Sequence, residues 1–167
     1  MSMNEIYPNY YHKFKCLAGA CKHSCCIGWE IDIDADTLAF YESLDTPLGE
    51  KIRAGIGGVE PHFILQEGER CPFLNEEGLC DIICECGESA LCEICTLHPR
   101  FRNFYSGFTE TGLGLCCEKA AQIIISEQEP FSISLPPENM LSEEECFFFH
   151  KREEVFSLLQ NRELSIG

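Results

Sequence analysis

Apolar and acidic positions alternate at Ile31-Asp32-Ile33-Asp34, the period of two expected of a short half-buried strand. Asp34 or Asp36 then caps a predicted helix that runs to about Leu44, with Phe40, Tyr41 and Leu44 on its buried face. Thr46-Pro47 breaks that helix, and Glu50 to Ala54 supply one more short turn. Gly55-Ile56-Gly57-Gly58 reads as a flexible connection. It is not a dinucleotide fingerprint, because no strand precedes it and no helical pattern follows. His62 to Gln66 reads as a strand, Asn75 to Gly78 as a tight turn, and Gly87 to Cys95 as a short helix stopped before Pro99. Arg100 to Leu115 is β-prone, with Phe104, Phe108, Leu113 and Leu115 as core candidates.

The clearest helical pattern is Glu118 to Ser126. Pro130, Pro136 and Pro137 mark a linker after it. Ser142 and Glu145 fit a capping box that opens a last helix, with Leu141, Phe148, Val155, Phe156 and Leu159 on one face. That face has little chain left to pack on, so a longer polypeptide is expected. Residues 1–15 carry Tyr7, Tyr10, Tyr11 and Phe14 and read as an irregular lead that packs its rings on the domain. The pattern predicts an α+β fold: a small, irregular, cysteine-rich metal-binding domain with short strands and C-terminal helices. Residues 1–126 form the cysteine-rich part; residues 127–167 form the linker and final helix.

Composition narrows the function. With 45% hydrophobic and 24% charged residues, the 167-residue chain is of globular type. Its formal charge of −16 argues against gripping nucleic-acid phosphates or anionic lipid. The N-terminus has no basic or apolar signal region, and no apolar run approaches a membrane span, so a cytoplasmic protein is expected.

Thirteen cysteines then dominate the picture. An odd count without an export signal disfavours a disulfide framework. The adjacent pairs Cys25-Cys26 and Cys116-Cys117 cannot close unstrained bridges with each other. Crowded thiolates repel and need a cation to hold them ionised. The run Cys16, Cys21, Cys25, Cys26 reads as half of a metal centre; the later knots supply the other half. Four thiolates suit either zinc or an iron–sulfur cluster. Only Cys92 and Cys95 form the Cys-x2-Cys step of a zinc knuckle, and the crowded first run suits a cluster at least as well. A radical S-adenosylmethionine triplet is not supported: Gly28 stands where its third cysteine belongs after Cys21 and Cys25, and Cys86 comes one residue early after Cys80 and Cys84. Asp32, Asp34 and Asp36 lack the Gly and bidentate Glu of an EF-hand loop. His23 and His98 flank thiols and suit a supporting role beside ligands. Lys22 and Arg100 would lower the pKa of neighbouring thiols, and Trp29 is expected in the core beside the centre.

Several motifs carry a resemblance. Phe14-Lys15-Cys16, Cys21-x3-Cys25-Cys26-x-Gly28-Trp29 and Ile31-Asp32 resemble the opening of the flagellin lysine-N-methylase family. Cys71-Pro72-Phe73-Leu74, Gly78-Leu79-Cys80, Cys95-x3-Pro99-Arg100 and Leu115-Cys116-Cys117-Glu118-Lys119-Ala120-Ala121 resemble its later motifs. The same cysteine pattern marks the wider YkgJ-type zinc- or iron-chelating family. The resemblance places Cys16, Cys21, Cys25, Cys26, Cys71, Cys80, Cys95 and Cys117 at the family's cysteine positions. These are the candidate metal ligands, for one centre or two. It implies methyl transfer from S-adenosylmethionine to lysine side chains of flagellin or another lysine-bearing protein, with a 4Fe-4S cluster, or alternatively zinc, bound. The family's chains are longer, and its last motif has Pro where Glu118 stands here. Cys84, Cys86, Cys92, Cys116 and Cys146 are extras; Cys146 is expected in the core. No general base stands out. A structural zinc or iron module and an electron carrier are the alternative functions.

Overall fold

The computed structural model describes residues 4–164. Its elements, in chain order, are β1 (Asn4–Ile6), α1 (Ala35–Ser43), α2 (Pro47–Ala54), β2 (Ile56–Gly57), β3 (His62–Phe63), α3 (Asp81–Cys86), α4 (Glu93–Leu97), β4 (Arg100–Phe104), β5 (Phe108–Leu113), α5 (Glu118–Ser126) and α6 (Glu143–Gln160). The expected mixture of helices with short strands is present. Two compact units share these elements. One is Cys16–His98 with Cys117–Lys119; the other is Pro99–Cys116 with the segments before Cys16 and after Lys119.

In the cysteine-rich unit, Asp34 caps α1 by accepting from the Thr37 N–H at 3.0 Å. The helix ends at Leu44, as its pattern predicts. Tyr41 is its buried anchor, and its hydroxyl donates to the Ala90 carbonyl at 2.7 Å. Phe40, expected beside it, is exposed. Thr46-Pro47 does not end a helix but begins one. Thr46 caps α2 and Pro47 takes its first position, where a missing N–H costs nothing.

The glycine connection is ordered as a hairpin, β2 against β3. Ile31 and Ile33 are buried as their alternation requires, but their segment forms one isolated bridge, Asp32 to His62, not a strand. Its backbone is satisfied by Ile33 N–H to Pro61 O and by Phe63 N–H to Ile31 O. The predicted helix over Gly87 to Cys95 is instead split. Gly87 ends α3, a single 3-10 turn follows at Glu88–Ala90, and α4 starts only at Glu93. The core gathers Ile31, Ile33, Tyr41, Leu48, Ile52, Phe63, Phe73, Leu74 and Ile82 with Cys71 and Cys92.

The second unit is built on a three-stranded sheet of order β1-β5-β4. β1 is parallel and β4 antiparallel to the central strand. The first three residues of the expected N-terminal lead lie outside the described residues; the rest is not wholly irregular, since Asn4–Ile6 forms β1. Every residue of β5 is buried. Phe108 and Leu113 are core, whereas Phe104 and Leu115 are 70% and 65% exposed. α5 occupies its predicted span, with Ala120 and Ile123 buried.

The capping box of Ser142 and Glu145 is formed at the start of α6. Its buried residue is Phe149, packed on Tyr105 and Phe108. Phe148, Val155 and Leu159 lie on the exposed side. The predicted apolar face is thus rotated from the one that packs. Cys146, expected in the core, is only partly buried.

Candidate metal centre

The first knot is joined to the second through backbone pairing. Ile27 bridges Arg70, Gly28 N–H donates to Glu69 O at 3.0 Å, and Cys71 N–H donates to Cys26 O at 2.8 Å. Gly28 makes this pairing at φ +94°, a conformation that a side chain would strain. Cys26 and Cys71 are thereby neighbours despite their separation in sequence.

The turn after Cys71 brings Cys80 back. Asn75 Oδ1 accepts from the N–H groups of Glu77 and Leu79, and Gly78 supplies φ +75°. Leu74 then bridges Cys80, and Asp81 N–H donates to Phe73 O. The Arg70 guanidinium fixes the same turn by donating to the carbonyls of Leu74 and Asn75. The predicted tight turn and its role in returning Cys80 toward Cys71 are both seen.

Cys92 and Cys95 flank the first turn of α4, with their sulfurs 3.5 Å apart. The hydrogen bond between them holds the Cys92 pKa below the ordinary thiol value and pushes that of Cys95 above it, where burial adds to the rise. Cys71 is 4% and Cys92 1% exposed, and Cys26, Cys80 and Cys95 pack against the same core. Burial pushes the Cys71 thiol up to about 12. Cys26 is held low instead, because the Cys25 thiol donates to it, with help from Ser24 and the Arg70 charge.

Asp34 ties this region together. Its Oδ2 accepts from Glu93 N–H at 2.8 Å, so one carboxylate caps α1 and fixes the residue after Cys92. Burial raises its pKa, but these amide donors outweigh it and leave the carboxyl below its ordinary value. Asp34→Ala is expected to cost about 2 kcal/mol, the upper end for a capping residue. The sign follows from the depressed pKa. The carboxylate's contribution is full above the unfolded pKa of ~4 and is lost as pH falls through the folded value. Urea denaturation at neutral and acidic pH should therefore show a gap between wild type and variant that closes in acid.

The other candidate ligands lie nearer the surface. Cys16 and Cys25 are exposed, and Cys21 and Cys117 are partly buried. Glu118 holds this group in place. Its Oε2 accepts from Lys22 N–H at 2.7 Å and His23 N–H at 3.3 Å, clamping the Cys21–Cys25 loop to the residue beside Cys117. Burial raises the Cys21 pKa, and the neighbouring Cys16, Glu118 and Cys117 charges raise it further. Ala18 N–H donates to Cys16 Sγ at 3.3 Å.

Trp29 packs partly against the core and lies 5.7 Å from the His98 ring. Burial lowers the His98 pKa. Arg100 donates to Tyr11 and lies over the Phe14 ring. Arg70 is the basic residue whose charge lowers a thiol pKa, that of Cys26, and its position in sequence beside Cys71 was the available signal. Cys84 and Cys116 are exposed. Cys92, outside the family's cysteine positions, is buried in the core beside Cys95. Its signal was the Cys-x2-Cys step itself.

Among the described residues, no group of three or more His, Cys, Asp or Glu side chains stands at the spacing of a filled metal site. The donor chemistry nonetheless fits a soft cation: reduced thiols held on paired backbone segments.

The sequence comparisons bear on the same region. The chain is 28% identical over 142 residues to a lysine-N-methylase of Salmonella typhimurium (strain LT2), covering 76% of this chain and 34% of that protein. A lysine-N-methylase of Salmonella choleraesuis is 28% identical over 141 residues. The chain is a relative of the lysine-N-methylases. This relative also matches the flagellar biosynthetic protein FliU of Salmonella muenchen, at 26% identity over 137 residues and 79% of that protein. It spans about a third of the length of the curated lysine-N-methylases it matches. No family model and no solved structure matches it. Among the described residues, no helix is long and apolar enough to cross a membrane.

Proposed function

We propose that this lysine-N-methylase relative is the cysteine-rich, metal-holding part of a protein lysine N-methyltransferase. Its substrate is flagellin and its methyl donor S-adenosylmethionine. The observation that carries this reading is the match to proteins named lysine-N-methylase over three-quarters of the chain. The name of FliU supports a flagellar setting.

In the reaction, the lysine amine attacks the sulfonium methyl group. A C–N bond forms, the C–S bond breaks with its electron pair going to sulfur, and the amine proton leaves to solvent or a base. Cys16, Cys21, Cys25, Cys26, Cys71, Cys80, Cys95 and Cys117 are the thiols that would hold an iron–sulfur cluster or zinc. A bound cluster supplies electron-transfer chemistry, and zinc supplies a rigid cross-link. The chain's own contribution is to position these thiols: Asn75 and Gly78 return Cys80, Asp34 fixes the start of α4, and Glu118 clamps the Cys21–Cys25 loop. The burial of Cys71 favours a structural share in the metal's role, since its sulfur belongs to the core.

The test is label transfer. The full-length polypeptide carrying this chain, purified without oxygen, is incubated with methyl-labelled S-adenosylmethionine and flagellin. Labelled methyl-lysine in flagellin digests is the expected result. A folded, metal-loaded enzyme that leaves flagellin unlabelled overturns the methylation reading.

A further inference from the structure

We infer that Cys92 and Cys95 are a dithiol pair that closes to a disulfide on meeting a small organic disulfide, and that Cys95 is the thiol that meets it. The bond stands on the geometry of these two residues alone. Only its consequence for Cys95 as a ligand rests on the metal-holding reading above.

The turn that starts α4 brings the two sulfurs together. Cys92 immediately precedes the helix, with extended backbone at φ −62° and ψ 156°. A side chain there folds over the first turn toward the third helical residue, as capping side chains do. Cys95 is that third residue. The Cys92 carbonyl accepts from the N–H groups of Cys95 at 3.1 Å and Thr96 at 3.0 Å, which closes the turn. Asp34 accepts from the Glu93 N–H at 2.8 Å and fixes the segment between the two thiols. The sulfurs are 3.5 Å apart, so a disulfide of ~2.04 Å needs them to approach by only about 1.5 Å. Cys25 and Cys26 also share a thiol hydrogen bond, but adjacent residues cannot close an unstrained bridge.

Exposure sets the order of events. Cys92 is 1% exposed, whereas Cys95 is only partly buried, so reaction begins at Cys95. Its thiolate attacks one sulfur of the small disulfide RSSR. A protein–SR bond forms, the RS–SR bond breaks, and the first thiolate leaves. Cys92 then attacks the Cys95 sulfur from within the core and displaces the second. The two cysteine protons end on the two RSH released; the protein pair is oxidised and RSSR is reduced. α4 follows a 3-10 turn, not a strand, so the pair is not set in the strand–helix unit of thiol oxidoreductases and reads as a reversible modification site. A Cys95 sulfur held in the bond is no longer a thiolate donor, so closure withdraws one candidate metal ligand.

The experiment is a disulfide map. The chain is purified without oxygen, treated with chelator, checked for folding by circular dichroism and exposed to oxidised glutathione. Free thiols are alkylated, and unreduced digests are read by mass spectrometry. Cleavage after Glu88, Glu93 and Glu110 puts Cys92 and Cys95 on separate peptides with one cysteine each. The two peptides are expected joined, and parted by dithiothreitol. Cys92→Ser should stop with glutathione on Cys95, and Cys95→Ser should leave Cys92 unmodified. Unjoined peptides from oxidised wild type, or either one joined to another cysteine, overturn the bond. Glutathione on Cys92 in Cys95→Ser overturns the order. Should chelation unfold the chain, untreated wild type in excess oxidised glutathione decides, and absence of the bridge there overturns the inference. Where the chelated chain stays folded, the two readings separate: bridging only after chelation supports Cys95 as a ligand, whereas equal bridging with and without chelator keeps the dithiol and removes Cys95 from the ligand set.

Discussion

Replacing Cys71 by serine is expected to strip bound metal and to cost the metal-loaded chain on the order of 3 kcal/mol or more. A structural four-thiolate site couples metal binding to folding, with apparent binding energies of about 10–16 kcal/mol in zinc-finger peptides, and one missing ligand forfeits a large share. Cys71 is suited to show the effect. It is 4% exposed, its backbone is paired to Cys26, and the turn that returns Cys80 starts beside it. Serine keeps the size but is a poor ligand for a soft ion and buries a hydroxyl.

The chelated protein supplies the control. There the same substitution costs only the burial of the hydroxyl, about 1–2 kcal/mol. At about 3 °C per kcal/mol for a chain of this size, the metal-loaded variant should melt about 10 °C below wild type. Thermal denaturation with and without chelator measures both gaps. Equal gaps in the two conditions would show that Cys71 is a packed thiol and not a ligand.

Arg152→Ala is expected to destabilise the sheet-bearing unit by about 2–3 kcal/mol, below the full cost of breaking a buried ion pair because Glu110 is buried and Arg152 only partly so. Arg152 lies on α6 and donates from Nη1 to Glu110 Oε2 at 2.6 Å. Glu110 lies on the central strand β5, all of whose residues are buried. The guanidinium also lies 4.6 Å from the centre of the Phe149 ring, with Phe148 and Phe156 farther out. Alanine removes the charge, the hydrogen bond and the stem that covers these rings. The paired change Arg152→Met with Glu110→Leu removes both charges and should recover most of the loss. Urea denaturation followed by the far-ultraviolet signal tests both proteins. A single-variant loss below 1 kcal/mol would mean that the pair behaves as a solvated surface bridge.

Local chemistry made part of this protein legible. Asp34 as a cap, the Ser142–Glu145 box, the Asn75–Gly78 turn and the whole span of α5 follow from interactions within a few residues, and all are present. Pro47 misled because proline both breaks and begins helices, and the choice depends on whether the next turn can bury Leu48 and Ile52. The packed face of α6 is hidden in the sequence for a related reason. Phe148 and Phe149 are adjacent and equally apolar, and only the position of Tyr105 and Phe108 selects Phe149.

For the thiols, sequence by itself determined their number, the crowding of Cys16 to Cys26, and the relationship to lysine-N-methylases. Ligand type is a property of residues, so these needed no fold. Tertiary structure alone decided which thiols are neighbours. Cys26 meets Cys71 through backbone pairing across more than forty residues, Glu118 brings the first loop to Cys117, and Cys92 enters the core beside Cys95. The reason is physical: spacing along the chain fixes only what a turn or a helix can reach, whereas a metal centre samples distance in space, and packing sets that distance.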